Sequence, residues 1–162
     1  MKTLYLLRHA KSSWDNPDLK DFERPLSERG LRDAPLMGER FVEKGHELQC
    51  IISSPAVRAK TTAKLFAEAI GFSADEIASN PELYFAGTGM FLKAASLLDD
   101  ECSSAMLVGH NPAITDFANL MANADIDNIP TAGLVELRID LQSWSDIKTG
   151  MAELIDFDYP KK

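Results

Sequence analysis

Two histidines in this sequence of 162 residues stand where they could do phosphoryl chemistry. His9 follows Arg8 at the end of the apolar run 3–7, and His110 comes directly after the apolar run 104–109. A neutral imidazole can attack phosphorus if an acceptor holds its other ring nitrogen, and a second imidazole can donate to the phosphoryl oxygens. The pair is therefore a candidate nucleophile and hydrogen-bond donor.

A third segment, SSPAVR, supplies another guanidinium beside a helix start. Residues 53–58 follow the apolar run 50–53. Ser54 is a favourable N-cap and Pro55 a favourable first helical residue, so Arg58 falls in the first turn, where a cation opposes the helix dipole. An anion bound at the helix start would reconcile Arg58 with this position.

The GHNP segment, residues 109–112, has the same construction. Asn111 is its expected cap and Pro112 its expected first helical residue, which holds His110 at the end of a strand. Guanidinium groups match phosphate oxygens in a bidentate way and stabilise a transferring phosphoryl group without a metal. Arg8 and Arg58, together with the histidines, therefore predict a phosphoryl pocket.

The elements that must position these residues alternate between strands and helices. Three short apolar runs, 3–7, 50–53 and 104–109, are typical of buried strands in a largely parallel sheet. Apolar side chains recur at helical spacing over 27–44, 56–70, 88–98 and 112–122. Pro35 is expected to kink or divide the first of these helices. Residues 135–141 and 154–159 alternate in polarity, which predicts two half-exposed edge strands with an antiparallel arrangement.

This order of elements predicts an α/β fold. We expect a three-layer α/β/α sandwich with a mostly parallel central sheet and helices on both faces. In such folds ligands bind at the carboxyl ends of the strands. Those ends carry the basic residues described above, so we expect them to meet at one rim.

Composition and charge restrict the kind of partner. The length suits one domain over residues 1–162, and 45% apolar residues are too many for a disordered chain. The formal charge of −8 argues against nucleic acid or an anionic membrane surface as a partner. We expect a cytoplasmic protein, because no signal-peptide core follows Lys2, and we expect Cys50 and Cys102 to be reduced packing residues.

Other phosphoryl-transfer classes lack their motifs here. A cysteine phosphatase needs an arginine six residues after the cysteine, but Ala56 and Val108 occupy those positions after Cys50 and Cys102. There is no GxxxxGK[ST] phosphate loop, and residues 125–128, DIDN, lack the spacing of a calcium loop. No metal ion and no cofactor is implied.

Three motifs together resemble the histidine phosphatase superfamily, which has the phosphoglycerate-mutase-like fold. They are LLRHA (6–10), SSPAVRAKTTA (53–63) and VGHNP (108–112), and they occur in the order typical of that family. By this resemblance His9 is phosphorylated during turnover, while Arg8, Arg58 and His110 bind the phosphoryl group. The short interval between Arg58 and His110 leaves no room for the helical lid of the mutases, so the chain is most similar to the SixA-type phosphohistidine phosphatases.

Further residues carry over less directly from the resemblance. Ser12 matches a mutase pattern and is a weak candidate for substrate binding. Arg24 resembles an arginine of the SixA-type enzymes, although a solvated surface arginine is an equal interpretation. Glu82 resembles the acid-bearing segment of the family, or it simply starts the next turn. Ala10 replaces the usual glycine after the histidine, and the long loop 10–26 is expected to flank the pocket.

The expected activity is hydrolysis of a phosphomonoester or phosphoramidate through a phosphohistidine on His9, without a metal. A protein that carries phosphohistidine is the expected substrate. Two alternatives stay open at this point: a small-molecule phosphatase or phosphomutase of the same fold, and a module that binds a phosphorylated ligand without turnover.

Overall fold

The computed structural model describes residues 1–85 and 87–162. Its strands are β1 (Lys2–Arg8), β2 (Cys50–Ser53), β3 (Ala78–Ser79), β4 (Ser104–Gly109), β5 (Leu134–Ile139) and β6 (Ala152–Asp158). Its helices are α1 (Glu28–Glu43), α2 (Val57–Ile70), α3 (Thr88–Ser96) and α4 (Ala113–Ala122). The short 3₁₀ turns Asp21–Glu23 and Pro81–Leu83 contribute to the site described below.

The six strands form one mixed sheet in the order β3-β2-β4-β1-β5-β6. The first four strands in this order run parallel to one another, whereas β5 is antiparallel to both β1 and β6. The predicted mostly parallel α/β sheet is thereby confirmed. The prediction of two edge strands is wrong for β5, which lies between β1 and β6, because β1 supplies it with a second hydrogen-bonding partner.

Side chains of β1 alternate between the two faces of the sheet, as a strand requires. Leu4 and Leu6 join one apolar cluster with side chains of α3 and α4. Tyr5 and Leu7 join a second cluster with side chains of α1 and α2. Helices therefore cover both faces, which confirms the three-layer arrangement and leaves the carboxyl ends of the parallel strands at one rim.

Helix α1 continues through Pro35 as one element, so the expected division of this helix does not occur. Its buried side chains include Ala34, Met37 and Phe41, and this face packs against α2. Gly38 permits the close approach, because a Cβ there would lie 2.7 Å from the Cβ of Ala69. Packing of the apolar face thus outweighs the backbone hydrogen bond that proline removes.

The two cysteines form a disulfide, so the prediction that they are reduced packing residues is wrong. Cys50 begins β2 and pairs in register with Ala105 of the neighbouring strand β4. Cys102 lies three residues before Ala105, and its Cα is 6.4 Å from that of Cys50. Strand register brings the residues together across 52 positions of sequence, which their spacing alone did not indicate.

His46 is not the exposed histidine that its polar neighbours in the sequence suggest. Its side chain is 21% exposed and lies 3.6 Å from a carboxylate oxygen of Glu136. Its ring packs against Tyr5 and Phe41. None of the described helices combines the length and apolarity needed to cross a bilayer.

Candidate active site

Strand register brings the two candidate histidines together. Arg8 at the end of β1 pairs with Gly109 at the end of β4, so the next residue of each strand is a histidine. The His9 backbone N–H donates to the Gly109 carbonyl at 3.1 Å. The His9 and His110 rings lie 5.1 Å apart between centroids and are inclined by 52°. The two imidazoles thus face one space at the carboxyl end of the sheet.

His9 is positioned with one ring nitrogen occupied and the other available. The residue is 8% exposed, and its Nδ1 lies 2.8 Å from the Ala10 carbonyl oxygen. Burial lowers the pKa of His9 from 6.5 to about 3, so the ring is neutral at pH 7. A carbonyl only accepts, so Nδ1 carries the proton and Nε2 keeps its lone pair. This is the state that a nucleophilic imidazole requires.

Ala10, the departure from the usual glycine, fits its position without a left-handed backbone. Its φ is not positive, and its side chain is fully buried. Its N–H donates to the Thr62 hydroxyl at 2.9 Å, and that hydroxyl donates in turn to the Arg58 carbonyl at 2.7 Å. Thr62 therefore connects the backbone after His9 to the first turn of α2.

His110 is held by Ser54 at the end of β2. Its Nε2 lies 2.8 Å from the Ser54 hydroxyl, which also accepts from the Ala56 N–H at 3.3 Å. The hydroxyl has one proton of its own to donate, and we assign it to the bond with Nε2, which places the ring proton on Nδ1. That Nδ1 is buried and has no partner. Burial, followed by the nearby Arg58 charge, lowers the pKa of His110 to about 4, so this ring is also neutral at pH 7.

Arg8 presents a second buried donor without a partner. One of its terminal nitrogens donates to the Ile129 carbonyl at 2.9 Å, which fixes the guanidinium. Its Nε is buried and makes no hydrogen bond. Among the residues described, Arg8 Nε and His110 Nδ1 are the two buried side-chain nitrogen or oxygen atoms left unpaired. A buried donor without a partner costs about 1–3 kcal/mol.

Arg58 lies in the first turn of α2, as expected, although that helix begins two residues later than predicted. Val57 is the first helical residue and Ala56 occupies the cap position, so Ser54 and Pro55 precede the helix. The Ser54 hydroxyl binds both His110 Nε2 and the Ala56 backbone N–H. An anion does accompany Arg58 at this helix start: it is the side chain of Asp21.

Asp21 connects the loop 10–26 to the pocket. Arg58 donates to its carboxylate at 3.0 Å and to its backbone carbonyl at 2.7 Å, and the Tyr84 hydroxyl donates to the same carboxylate at 2.6 Å. Arg24 adds a contact at 3.3 Å. The Tyr84 hydrogen bond, then the Arg58 contacts, lower the pKa of Asp21 to about 2. The carboxylate therefore stays ionised at neutral pH.

The two proposed substrate-binding residues, Ser12 and Arg24, contact one another. Arg24 is 7% exposed, so the interpretation as a solvated surface arginine is wrong. Its guanidinium donates to the Ser12 hydroxyl at 2.6 Å and lies over the Trp14 ring, 3.2 Å from the ring centroid. Through Asp21 this pair joins Arg58 at the pocket, and the loop 10–26 flanks the site as predicted.

Glu82 is not directed into the pocket. It lies in the 3₁₀ turn Pro81–Leu83, whose cap Asn80 accepts from its backbone N–H at 3.0 Å. Its exposed carboxylate pairs with Lys93 at 3.1 Å. No hydrogen bond of the described residues connects it to His9, His110 or the arginines. The turn instead delivers Tyr84, whose ring lies edge-on to His110 at 5.6 Å.

Helix α4 also begins later than predicted, by one residue. Ala113 is its first residue, and Pro112 occupies the cap position. The Asn111 side chain does not cap the helix: it donates to the Ile129 carbonyl at 3.0 Å and accepts from the Thr115 hydroxyl at 2.6 Å. Asn111 therefore binds the same backbone carbonyl that Arg8 contacts.

The depressed histidine pKa values give a prediction for stability. The unfolded chain takes up a proton on each histidine near pH 6.5, whereas folded His9 and His110 resist protonation until about pH 3 and 4. Their contribution is therefore present above pH 6.5 and is lost as the pH falls below it. When the pH is lowered from 7 to 5, we expect the free energy of unfolding, measured in urea, to fall by about 1–2 kcal/mol less in His9→Ala than in the parent. Equal losses would contradict these values.

A comparison with protein families matches the half of the chain that contains Arg8, His9 and Arg58. Residues 4–84 match the family model of the Histidine phosphatase superfamily (branch 1). An uncharacterized chloroplastic protein of Arabidopsis thaliana is 31% identical over 154 residues, which cover 90% of this chain and 70% of that protein.

Solved structures resemble the whole chain. SixA from Agrobacterium tumefaciens is similar at a TM-score of 0.83 with 31% sequence identity, over 98% of each chain. A structure of the protein histidine phosphatase SixA complexed with tungstate has the same fold, at a TM-score of 0.83 and 18% identity over 98% of this chain and 97% of that one.

Proposed function

Since this chain is a phosphatase that belongs to the histidine phosphatase superfamily, we propose that it hydrolyses phosphoryl groups by way of a phosphohistidine on His9. The proposal assigns phosphoryl binding to Arg8, Arg58 and His110. It assigns support of the pocket to Ser12 and Arg24. The substrate is a phosphorylated molecule, and a protein that carries phosphohistidine is the class that the pocket favours.

The proposed reaction has two displacements. Nε2 of His9 attacks phosphorus, the bond from phosphorus to the leaving nitrogen or oxygen breaks, and the leaving group takes a proton from solvent. Water then attacks the phosphoryl group on His9, which releases inorganic phosphate and restores the neutral ring. The Ala10 carbonyl holds Nδ1–H throughout, so the reacting lone pair stays directed into the pocket.

The observation that carries the proposal is the pair of unpaired buried donors, Arg8 Nε and His110 Nδ1. Two such donors beside a neutral imidazole are costly unless an anion accepts from them. Arg58 can donate further hydrogen bonds to an anion, because Asp21 accepts from only two of its five N–H groups. Arg8, Arg58 and His110 all lie close enough to His9 to lower its pKa, so we expect one tetrahedral oxyanion beside His9 to accept from these donors.

The acid groups near the site favour a substrate with an easy leaving group. Asp21 is held ionised, with a pKa of about 2, and Glu82 is exposed and paired with Lys93. An alkoxide leaves poorly without a general acid, whereas an imidazole leaves far more easily. This supports phosphohistidine over a sugar phosphate. Among the described residues between α2 and β4, the one α-helix is α3, whose buried side chains Phe91, Ala94 and Ala95 join the core, so this connection forms no separate helical lid.

We also propose that the reaction at His9 needs no metal ion. In the described ranges, one group of three side chains brings metal-ligating atoms within 4.8 Å of one another: His46, Glu136 and Asp156. None of these belongs to the pocket around His9. A cytoplasmic location remains a prediction, although disulfides such as Cys50–Cys102 are rare in that compartment.

A substrate comparison tests the proposed function and the role of Glu82. The protein substrate is phosphorylated on histidine with phosphoramidate. In the presence of EDTA, we expect the enzyme to remove this phosphoryl group with a higher kcat/KM than it shows on p-nitrophenyl phosphate or a panel of sugar phosphates. Glu82→Gln should keep kcat/KM on phosphohistidine within about threefold of the parent, because that leaving group needs no general acid. Lys93→Gln is the matched control, since it breaks the same ion pair and keeps the carboxyl.

Several results would overturn parts of this proposal. A loss of a hundredfold or more in Glu82→Gln but not in Lys93→Gln would make Glu82 the general acid. Transfer of phosphate to a second position of a monophosphorylated sugar acid would indicate a mutase. Binding of the phosphoprotein without release of phosphate would indicate a recognition module.

A further inference from the structure

Three aromatic side chains are exposed beside the pocket, and we refer to Trp14, Phe22 and Phe85 as the aromatic rim. Their exposed fractions are 72%, 38% and 87%. The other exposed large hydrophobic residues in the described chain are aliphatic: Met1, Leu31, Val42, Leu97, Leu120 and Met151. The three exposed aromatic rings each contact a residue that binds Asp21 at the pocket, and exposed apolar surface commonly marks an interaction site.

Phe22 and Phe85 connect to the pocket through Tyr84. The Phe22 ring lies edge-on to Tyr84 at 5.0 Å, and the Phe85 ring lies 4.4 Å from it. Tyr84 in turn lies edge-on to His110 and donates to Asp21. One residue therefore separates these two exposed rings from the candidate phosphoryl-binding groups.

Trp14 connects to the pocket through Arg24. Its ring lies beneath the guanidinium, 3.2 Å from Cζ to the ring centroid, and Arg24 also contacts Ser12 and Asp21. Stacking on a buried arginine restricts the indole before any partner arrives. A rigid, exposed aromatic ring contributes large contact area at low entropic cost, as in the central residues of many protein interfaces.

We propose that the aromatic rim is the docking surface for an apolar patch that surrounds the phosphohistidine of a protein substrate. This inference rests on the proposed function and names the feature that selects the substrate class. His9 is 8% exposed, so a phosphorylated side chain must enter the pocket until the surface that carries it meets the rim. Free phosphohistidine has no protein surface around it, so we expect it to react while the three rings stay in water.

The rim favours a protein over a nucleic acid or a small polar molecule as the carrier. The chain has a formal charge of −8, which opposes a polyanionic partner. The rim itself contributes indole and phenyl faces, whose burial is driven by the hydrophobic effect and by aromatic contacts. The occupant is therefore the apolar protein surface next to the phosphorylated histidine.

The test compares one protein substrate with one small substrate. A panel of small globular proteins is phosphorylated on histidine with potassium phosphoramidate, and the one that the parent enzyme cleaves with the highest kcat/KM is chosen; free phosphohistidine is the small substrate. The ratio that we compare is kcat/KM on the protein substrate divided by kcat/KM on free phosphohistidine. In W14A/F85A we expect this ratio to fall by about tenfold or more, chiefly because KM for the protein substrate rises. L97A/L120A, which removes two exposed aliphatic side chains outside the rim, should keep the ratio.

The outcomes separate the two proposals. An unchanged ratio in W14A/F85A, with the melting temperature of the parent, would overturn the docking surface and leave the phosphatase proposal intact. An equal fall in L97A/L120A would also overturn it, because the effect would not belong to the rim. Failure of the parent enzyme to cleave either substrate would refute the proposed function and the docking surface with it.

Discussion

His9→Ala abolishes phosphohistidine hydrolysis, with an expected loss of about 10⁴-fold or more in kcat, because no other described side chain offers a free imidazole lone pair beside the unpaired donors. His110 cannot substitute, since Ser54 occupies its Nε2 and its Nδ1 carries the proton. The fold should survive, because the His9 side chain contributes one hydrogen bond, to the adjacent residue. Steady-state release of phosphate and a thermal melt measure both effects.

His46→Ala is the matched control for this substitution. It removes the third histidine, whose ring packs against Tyr5 and Phe41 outside the pocket. We expect it to keep the rate of the parent within a few fold. Near-parental turnover in His9→Ala would exclude His9 as the nucleophile.

Arg58→Ala should lower kcat/KM by about 10²–10⁴-fold, because a guanidinium directed at a transferring phosphoryl group stabilises its equatorial oxygens. The loss of stability should be small, about 1 kcal/mol or less, since the partner Asp21 is 55% exposed and keeps its contacts with Tyr84 and Arg24. Phosphate release and urea unfolding of the same preparation separate the two quantities.

Two variants refine the interpretation of Arg58. Arg58→Lys keeps the charge without the planar fork, and we expect it to recover only part of the rate. Tyr84→Phe removes another hydrogen bond to Asp21 and leaves the guanidinium in place, so its loss of rate should be far smaller. A collapse of the melting temperature in Arg58→Ala would instead assign Arg58 a structural role.

The sequence predicts the sheet and the meeting of its basic residues because both depend on local patterns. Short apolar runs mark β1, β2 and β4; Arg8 ends β1, and His9 and His110 directly follow β1 and β4. Parallel register then determines where those residues lie, without any further information. Features that follow a strand end are predictable for this reason.

Features that depend on the path of a loop are not predictable in the same way. The loop 10–26 has no periodicity, so nothing in the sequence indicates that Asp21 meets both Arg58 and Tyr84. Tyr84 lies two residues from Glu82, and the turn that contains Glu82 directs the tyrosine to the pocket. A family pattern draws attention to the acidic residue, whereas the geometry selects its neighbour.

The misassigned helix starts share one physical cause. Ser54 and Asn111 are favourable caps by type, but each side chain has a tertiary partner that the local sequence does not contain. Ser54 binds His110 and Asn111 binds the Ile129 carbonyl, and the helices begin at Val57 and Ala113. Pairing of Cys50 with Cys102 is likewise a consequence of strand register.

The most direct test of the account is the site of phosphorylation during turnover. The enzyme is mixed with isotopically labelled phosphohistidine protein, quenched in alkali within one turnover because phosphohistidine is labile in acid, and digested for mass spectrometry. With His9 as the nucleophile, we expect a phosphoryl group on the peptide that contains His9, formed and discharged at rates consistent with kcat. Label on His110 or another residue, or steady turnover with no labelled enzyme at any time, would contradict it.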